Sequence, residues 1–185
     1  MSRPSKLTSI HEQSRSYNKV KSKEIIDYVY RDFVPYYEIP DFPMYITAPS
    51  GTAMEIVDDP AVIVGTAVLN KTNKRVAVIA QQMPSGDAER ARLNYGLVKA
   101  DGYALSYNMM SYAEENGLML HTYIDTIGGD PFEYSAGKLQ SWLISNCQAK
   151  MISLRTKSIS TVIGSGGAIA LQLAHKRYML SRAEY

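Results

Sequence analysis

The order of elements along the chain predicts an α/β fold, in which a hairpin is followed by alternating helices and strands that pair in parallel. Two stretches rich in valine and isoleucine, 61–69 and 75–81, lie on either side of a polar turn. Two later stretches with apolar residues at helical spacing are each followed by a short strand pattern. A strand pair followed by a helix, repeated along the chain, is typical of a stacked ββα spiral in a single domain.

The amino-terminal part predicts an arm, a helix and an irregular loop. Residues 1–20 are polar with charges of both signs, so we expect a flexible arm before a domain that spans 21–185. Apolar residues recur at helical spacing within 21–34, which predicts a helix that ends before Pro35. The next segment is rich in proline and predicts a loop with one edge strand at 44–47.

The central part predicts the hairpin and the first crossover. The strands 61–69 and 75–81 are joined by the polar turn 70–74. A helix is predicted over 102–116, where Gly117 ends it, and a strand over 118–124. The apolar side chains expected on one side of this helix are Leu105, Met109 and Tyr112.

The last third predicts a second crossover. A loop over 125–134 leads into a helix over 135–150. Its buried stripe is expected to contain Leu139, Trp142, Leu143 and Cys147. A strand over 158–163 follows, and a last strand is predicted at 177–180.

The run Gly164-Ser165-Gly166-Gly167-Ala168 predicts a tight turn between a buried strand and a helix that begins near Gly167 and ends near 174. Amide N–H groups at the start of a helix have no acceptor within it, so they hold an oxyanion, a phosphate or a carboxylate. The alternative is a closely packed connection that binds nothing, and the residues by themselves leave both open.

The loops 125–130 and 164–168 each follow a strand at its carboxyl end. Such loops face a common crevice when the strands are neighbours in a parallel sheet. We therefore expect both loops to border one cleft.

Composition excludes several classes of protein. The chain has 185 residues, a net charge of +2, and 45% hydrophobic residues. This charge is too small to indicate nucleic acid as a partner, and no apolar run is long enough for a membrane span. A single cysteine excludes an internal disulfide and favours a cytoplasmic protein.

Several side chains are weighed as catalytic groups and assigned structural roles. His121 lies mid-strand and is interpreted as a hydrogen-bonded structural residue, and His175 as a helix cap. Asp125 and Asp130 bracket a loop as an acid/base pair would, but we favour a loop cap and a solvated carboxylate. Cys147 lies on a buried helix face, which argues against a nucleophile. No metal-ligand spacing is present.

Several ordered motifs resemble one family. They are Arg92-Leu93-Asn94-Tyr95-Gly96, Asp101-Gly102-Tyr103-Ala104-Leu105 and Tyr123-Ile124-Asp125-Thr126-Ile127-Gly128-Gly129, with Gln140, Ser141, Ile144 and Met151 at the expected spacing. From about 58 to 185 the chain resembles the α subunit of the carboxyltransferase component of bacterial acetyl-CoA carboxylase, within the crotonase superfamily. The resemblance implies a crotonase-like fold.

The resemblance also implies a function shared between subunits. Carboxybiotin, carried on a biotin carrier protein, gives its carboxyl group to an acyl-CoA in a step of fatty acid biosynthesis. The paired glycines of the family's oxyanion hole fall on Gly166 and Gly167. The loops around them place Gly128, Gly129, Gly164, Ser165 and Ala168 at the substrate or biotin site. No covalently bound cofactor, metal, nucleic acid or membrane is implied, and the partner is a homologous β-type subunit in a hetero-oligomer.

The chain departs from the family pattern at three places. The glycine-rich turn is three residues shorter than the family's, the loop 127–132 lacks a proline and a glycine, and paired acids are absent from 134–140. The chain is also shortened at its carboxyl end, so we expect a partner chain to complete the fold. Two alternatives stay open: a catalytically silent structural subunit, and an acyl-CoA decarboxylase or hydrolase that uses the same oxyanion hole.

Overall fold

The structure is a computed structural model that describes residues 19–132, 137–167 and 169–184. Its helices are α1 (Ser22–Val29), α2 (Asp87–Arg90), α3 (Ala100–Glu115) and α4 (Gln140–Ser153). Its strands are β1 (Tyr30–Pro35), β2 (Tyr45–Thr47), β3 (Ala53–Glu55), β4 (Val62–Leu69), β5 (Arg75–Gln81), β6 (Leu97–Val98), β7 (Met119–Thr126), β8 (Gly128–Gly129), β9 (Ser158–Gly166) and β10 (Lys176–Met179). Short 3₁₀ turns lie at Tyr36–Glu38, Asn94–Gly96 and Ile169–Leu171.

Within the described ranges, one six-stranded sheet has the order β1-β4-β5-β7-β9-β10. The first two pairings are antiparallel and the remaining three are parallel. Each of the two parallel crossovers from β5 to β7 and from β7 to β9 contains a long helix, as a parallel connection requires. The predicted α/β class and the strand pair followed by a helix are confirmed.

The hairpin prediction is confirmed almost residue for residue. The strand predicted at 61–69 is β4, and the strand predicted at 75–81 is β5. Their register runs from Val62 opposite Gln81 to Val68 opposite Arg75. The edge strand predicted at 44–47 is β2, which pairs with β3.

The sheet has a core on each face. Helices α3 and α4 pack on one face, where their buried side chains meet those of the central strands: Leu105, Met109, Met110, Leu143, Cys147, Met151, Ile79, Leu120, Ile124 and Val162. Helix α1 packs on the other face, over a smaller cluster: Ile26, Tyr30, Val76, Val78, Ala80, Tyr123 and Ile163. Burial of this apolar surface is the main favourable term in folding.

The helix predicted over 21–34 is wrong in its second half. Helix α1 ends at Val29, and Tyr30 begins an edge strand that pairs antiparallel with β4. The apolar spacing also suits a strand, and the free edge of β4 supplies hydrogen bonds that the sequence does not reveal. The Tyr30 side chain is buried against the sheet by this change.

The start of α4 also differs from the prediction. The predicted start at 135 lies outside the described residues, and Gln140 is the first residue of the helix. Leu139 has a positive φ of 57° and is 40% exposed, so its place in the buried stripe is wrong. Leu143 and Cys147 are buried, as predicted.

The glycine-rich run does not form the predicted turn and helix. Strand β9 continues through Gly166, and the helix expected from Gly167 is reduced to the 3₁₀ turn Ile169–Leu171. The reason is a pairing between strands, because Gly166 lies opposite Thr126 of β7. Sequence spacing does not reveal such a partner.

A buried carboxylate sets the start of α3. Asp59 is fully buried and accepts the N–H of Lys99 at 2.8 Å and that of Ala61 at 3.0 Å. Burial raises the pKa of Asp59 to about 6. Gly102 passes directly over this carboxylate, so that a methyl group at position 102 would overlap Asp59 Oδ2 and crowd Val62 and Val98.

We therefore expect Gly102→Ala to destabilise the fold by about 1–3 kcal/mol, because overpacking outweighs the helix propensity of alanine. Urea denaturation followed by circular dichroism measures the change. Gly86→Ala is the matched control, since nothing lies within 4 Å of its added methyl group. Equal stability of the two variants would contradict the close contact at Gly102.

Candidate functional site

The two predicted loops meet at the carboxyl ends of β7 and β9, as expected for neighbouring parallel strands. Residues 164–167, called the glycine segment below, lie beside Asp125 and Thr126 of β7. From Ile124 to Thr126, β7 advances two residues, whereas β9 advances four, from Val162 to Gly166. The two extra residues form a bulge that brings Ser165 over Asp125.

Three backbone amides of the glycine segment already have acceptors. The N–H of Gly166 donates to the carbonyl of Glu184 at 2.7 Å, and the N–H of Gly167 donates to the carbonyl of Thr126 at 2.9 Å. The Ser165 N–H donates to Asp125 Oδ1 at 3.2 Å. The predicted open pair of donors at Gly166 and Gly167 is therefore wrong for this conformation, because the sheet itself supplies both acceptors.

Glycine at two of these positions is explained by close packing. A methyl group on Gly164 would overlap the Asp125 carboxylate and the Lys19 ammonium. A methyl group on Gly167 would overlap the backbone carbonyl of Ile127. Glycine at both positions is thus explained by close contacts within the protein, whatever ligand binds.

The predicted loop glycines lie close by. The strand β8, formed by Gly128 and Gly129, pairs in parallel with β6. Gly128 has a φ of +146° and approaches the Gly167 carbonyl, while Gly129 packs against the side-chain amide of Gln140. The structure therefore brings these residues together with Gly164, Ser165, Gly166 and Gly167, and Ala168 lies outside the described residues.

A buried ion pair contacts the glycine segment through the bond from the Ser165 N–H to Asp125. Lys19 Nζ contacts Asp125 Oδ1, with 7% and 0% of the two side chains exposed. Burial raises the pKa of Asp125, while the Lys19 charge and the Ser165 N–H oppose that shift. Its second oxygen, Oδ2, has no hydrogen-bond partner among the described residues.

Sequence reasoning missed three contributors to this site. Lys19 lies at the end of the predicted flexible arm; the residues 1–18 of that arm are outside the described ranges. Gln172 Nε2 donates to the Gly166 carbonyl at 2.9 Å. Glu184 contributes its backbone N–H and carbonyl, which no side-chain pattern identifies.

The aspartate pair differs from the prediction in both members. Asp125 is predicted to cap the loop that it begins, but its carboxylate accepts the Ser165 N–H of the glycine segment and pairs with Lys19. Asp130 was expected in solvent, but it is buried and accepts the Phe132 N–H at 3.1 Å. The Asp130 N–H donates in turn to the Val98 carbonyl, which fixes the loop against β6.

The other candidate side chains have structural contacts. His121 Nδ1 lies 2.6 Å from Tyr30 Oη in the core, which confirms its structural interpretation. His175 does not cap a helix, since its Nδ1 lies 2.7 Å from Ser158 Oγ. Cys147 is buried, and burial raises its thiol pKa, so it is no nucleophile at neutral pH.

Residues 19–132, 137–167 and 169–184 contain no cluster of three histidine, cysteine, aspartate or glutamate side chains able to bind a metal ion. None of the helices described in the structure has the length and apolar character needed to cross a membrane.

Comparison with known proteins identifies relatives. A family model described as acetyl co-enzyme A carboxylase carboxyltransferase-like matches residues 50–185. The acetyl-coenzyme A carboxylase carboxyl transferase subunits beta/alpha of Saccharopolyspora erythraea are 34% identical over 131 residues, which cover 69% of this chain and 23% of that protein. The corresponding subunit alpha of Halorhodospira halophila is 32% identical over 164 residues, which cover 87% of this chain and 48% of that protein. The chain thus spans less than half the length of these relatives.

Solved structures share the fold. Transcarboxylase 12S, with hydrolysed methylmalonyl-coenzyme A bound, aligns over 90% of this chain and 29% of its own, with a TM-score of 0.64 and 13% identity. The beta subunit of P. aeruginosa geranyl-CoA carboxylase aligns over 83% of this chain and 24% of its own, with a TM-score of 0.58 and 14% identity. These likenesses confirm the predicted crotonase-like fold.

The Lys19–Asp125 pair generates one prediction. We expect Lys19→Met to destabilise the fold by about 3 kcal/mol, because it leaves a buried carboxylate without its counter-charge. The double variant Lys19→Met/Asp125→Asn should recover at least half of that loss, since asparagine is neutral and still accepts the Ser165 N–H. Urea denaturation at pH 7 measures both. A double variant no more stable than Lys19→Met would contradict the charge pairing.

The buried side chain of His121 generates a second prediction, on the pH dependence of stability. Burial lowers the pKa of His121 to about 4, whereas the unfolded chain has a value near 6.5. The unfolded state therefore binds more protons at this residue between these values, and the contribution of His121 to stability falls by up to about 3 kcal/mol as the pH drops from 6.5 to 4. Denaturation across this range should show that the loss of stability with falling pH has a shallower slope in His121→Gln than in wild type. Equal slopes in wild type and His121→Gln would exclude His121 as the cause.

Proposed function

The chain belongs to the acetyl co-enzyme A carboxylase carboxyltransferase-like family, and from this premise we propose that it is a carboxyltransferase-type subunit. It helps to transfer a carboxyl group between carboxybiotin and an acyl-CoA, both of which are substrates. The observation that carries the proposal is the family match over 50–185, which includes both loops at the carboxyl ends of β7 and β9.

The proposed reaction breaks the bond between the ureido nitrogen and the carboxyl carbon, and the electron pair remains on the ureido group. The α-carbon of the acyl-CoA loses a proton and forms a bond to the carboxyl carbon, while the proton ends on the ureido nitrogen. As the bond breaks, the ureido oxygen gains enolate character. A backbone N–H placed at that oxygen stabilises the charge, so the chain need not supply a side-chain base.

Gly166 and Gly167 are the proposed donors, but the two amides are held differently. The Gly166 N–H has the carbonyl of Glu184 as its acceptor. The Gly167 N–H is bonded to Thr126, and the carbonyl of the same peptide accepts Gln172. Reorienting the Gly167 peptide breaks two hydrogen bonds, so we assign the larger role to Gly166.

Partner chains belong to the proposal. The relatives are subunits named alpha or beta/alpha, which supports a homologous β-type subunit in a hetero-oligomer. The proposal further includes a biotin carrier protein and a cytoplasmic location. Strand β10 lies at the edge of the sheet with its side chains exposed, and Ile152 of α4 is 71% exposed. Exposed apolar side chains at a sheet edge favour coverage by another chain.

A specific observation favours a second candidate, a catalytically silent structural subunit. The amides of Ser165, Gly166 and Gly167 all donate to acceptors within the protein. A chain that keeps this conformation in its complex would assist assembly without binding an oxyanion.

The decisive experiment is malonyl-CoA-dependent carboxylation of biotin, measured with this chain alone, with a β-type subunit alone, and with both. We expect turnover only when both chains are present. Gly166→Pro removes the N–H and should lower the rate by about 10²–10³-fold, the usual loss for one oxyanion donor.

Gly166→Ala is the control, because it keeps the N–H and should retain more activity than the proline variant. Circular dichroism and co-elution with the β-type subunit establish that each variant is folded and assembled. A complex that forms fully but has no turnover with any acyl-CoA would reject the active role and support the silent subunit.

A further inference from the structure

The Gly166 amide is covered by residues that follow β10. After the Leu180 N–H has paired with the Val162 carbonyl, the chain turns and the Ala183 N–H donates to the Leu180 carbonyl. Ala183 and Glu184, called the 183–184 segment below, then lie against β9. Glu184 forms a parallel bridge with Ser165, and Ala183 is 5% exposed.

Two hydrogen bonds join this segment to the glycine segment. The Glu184 N–H donates to the Gly164 carbonyl at 2.9 Å, and the Glu184 carbonyl accepts the Gly166 N–H at 2.7 Å. The segment therefore occupies the edge of β9 immediately beyond the pairing with β10, which reaches Val162.

The amides of Ser165 and Gly167 do not depend on these residues. Ser165 is bonded to the Asp125 carboxylate, which Lys19 holds in place. Gly167 is bonded to Thr126 inside the sheet. Detaching the 183–184 segment thus frees the Gly166 N–H and leaves its neighbours in position.

The chemistry of the two acceptors favours replacement of the Glu184 carbonyl by the substrate oxygen as the acceptor of the Gly166 N–H. A neutral backbone carbonyl holds the Gly166 N–H in this structure, whereas the proposed substrate presents an oxygen that gains negative charge. Hydrogen bonds to ionised acceptors are roughly twice as strong as those to neutral ones. Bonds at a strand edge also open locally at a lower free-energy cost than those in a core.

We propose that the 183–184 segment is an intramolecular cover of the Gly166 amide, and that the site becomes competent for an oxyanion when this segment detaches. This inference rests on the proposed function, because it concerns access to the same donor.

The test compares two substitutions at one position. Glu184→Pro removes the N–H that donates to Gly164 and should weaken the bridge, whereas Glu184→Gln keeps both backbone groups. Amide hydrogen exchange, resolved by NMR in the 185-residue chain, should be about 5- to 10-fold faster at Gly166 in Glu184→Pro, as expected for the loss of one hydrogen bond. Exchange at Gly167 should change less than about 2-fold, and Glu184→Gln should speed exchange at Gly166 less than Glu184→Pro does.

A second variant detaches the segment by another route. Ala183→Asp places a carboxylate at a buried position and should also speed exchange at Gly166, while the exposed Arg182→Ala should not. Unchanged exchange at Gly166 in both Glu184→Pro and Ala183→Asp would overturn the proposal.

The same variants are assayed for biotin carboxylation with the β-type subunit. The proposal expects Glu184→Pro to raise the rate by about the factor by which it speeds Gly166 exchange. If hydrogen exchange at Gly166 is faster but biotin carboxylation is unchanged or slower, the proposed cover is overturned, and the 183–184 segment only stabilises the structure. Absence of turnover in every complex, wild type included, rejects the proposed function. In that case the hydrogen-exchange rates at Gly166 alone test whether the 183–184 segment covers this amide.

Discussion

The pairing of β7 with β9 is the interaction on which the rest of the structure depends. Up to Ile124 and Val162 the two strands advance together, and the bulge then sets Thr126 opposite Gly166. This single shift places Ser165 over Asp125 and lays Gly167 on the loop after β7. Because backbone meets backbone there, the candidate site consists mainly of peptide groups. Such a site suits a reaction in which charge develops on an oxygen and no side-chain base is needed.

Buried carboxylates fasten the loops at this end of the sheet. Asp125 accepts the Ser165 N–H, Asp59 accepts the Lys99 N–H, and Asp101 accepts the Val57 N–H at 2.9 Å. Each joins segments that are far apart in the chain. Burying such a group is costly unless it is hydrogen-bonded or paired, so each of these contacts is specific for the loop that it holds. The loops at this end of the sheet, the glycine segment among them, are therefore positioned by acids that take no part in the proposed chemistry.

The sequence correctly predicted that the two loops lie side by side. It wrongly predicted that the amides of Gly166 and Gly167 are free to bind a ligand in this conformation. The loop after β7 and the glycine segment lie together because carboxyl ends of parallel strands meet at one edge. Their amides are bonded to Thr126, Glu184 and Asp125, which are distant partners that no local pattern reveals. The same limit explains the helix predicted over 21–34, since its second half is fixed by the free edge of β4. Local spacing determines what a segment is able to form, and long-range pairing selects among those forms.

The sequence by itself determined the α/β class, the hairpin of β4 and β5, the two long helices and the family, since these follow from periodicity, turn residues and ordered motifs. Only the tertiary structure decided that Lys19 is buried beside Asp125 and that the backbone of Glu184 covers Gly166. Lys19 belongs to a polar stretch, and Glu184 acts through a peptide group that every residue carries. Neither has a side-chain signature, so the contacts that control the candidate site depend on the folded arrangement.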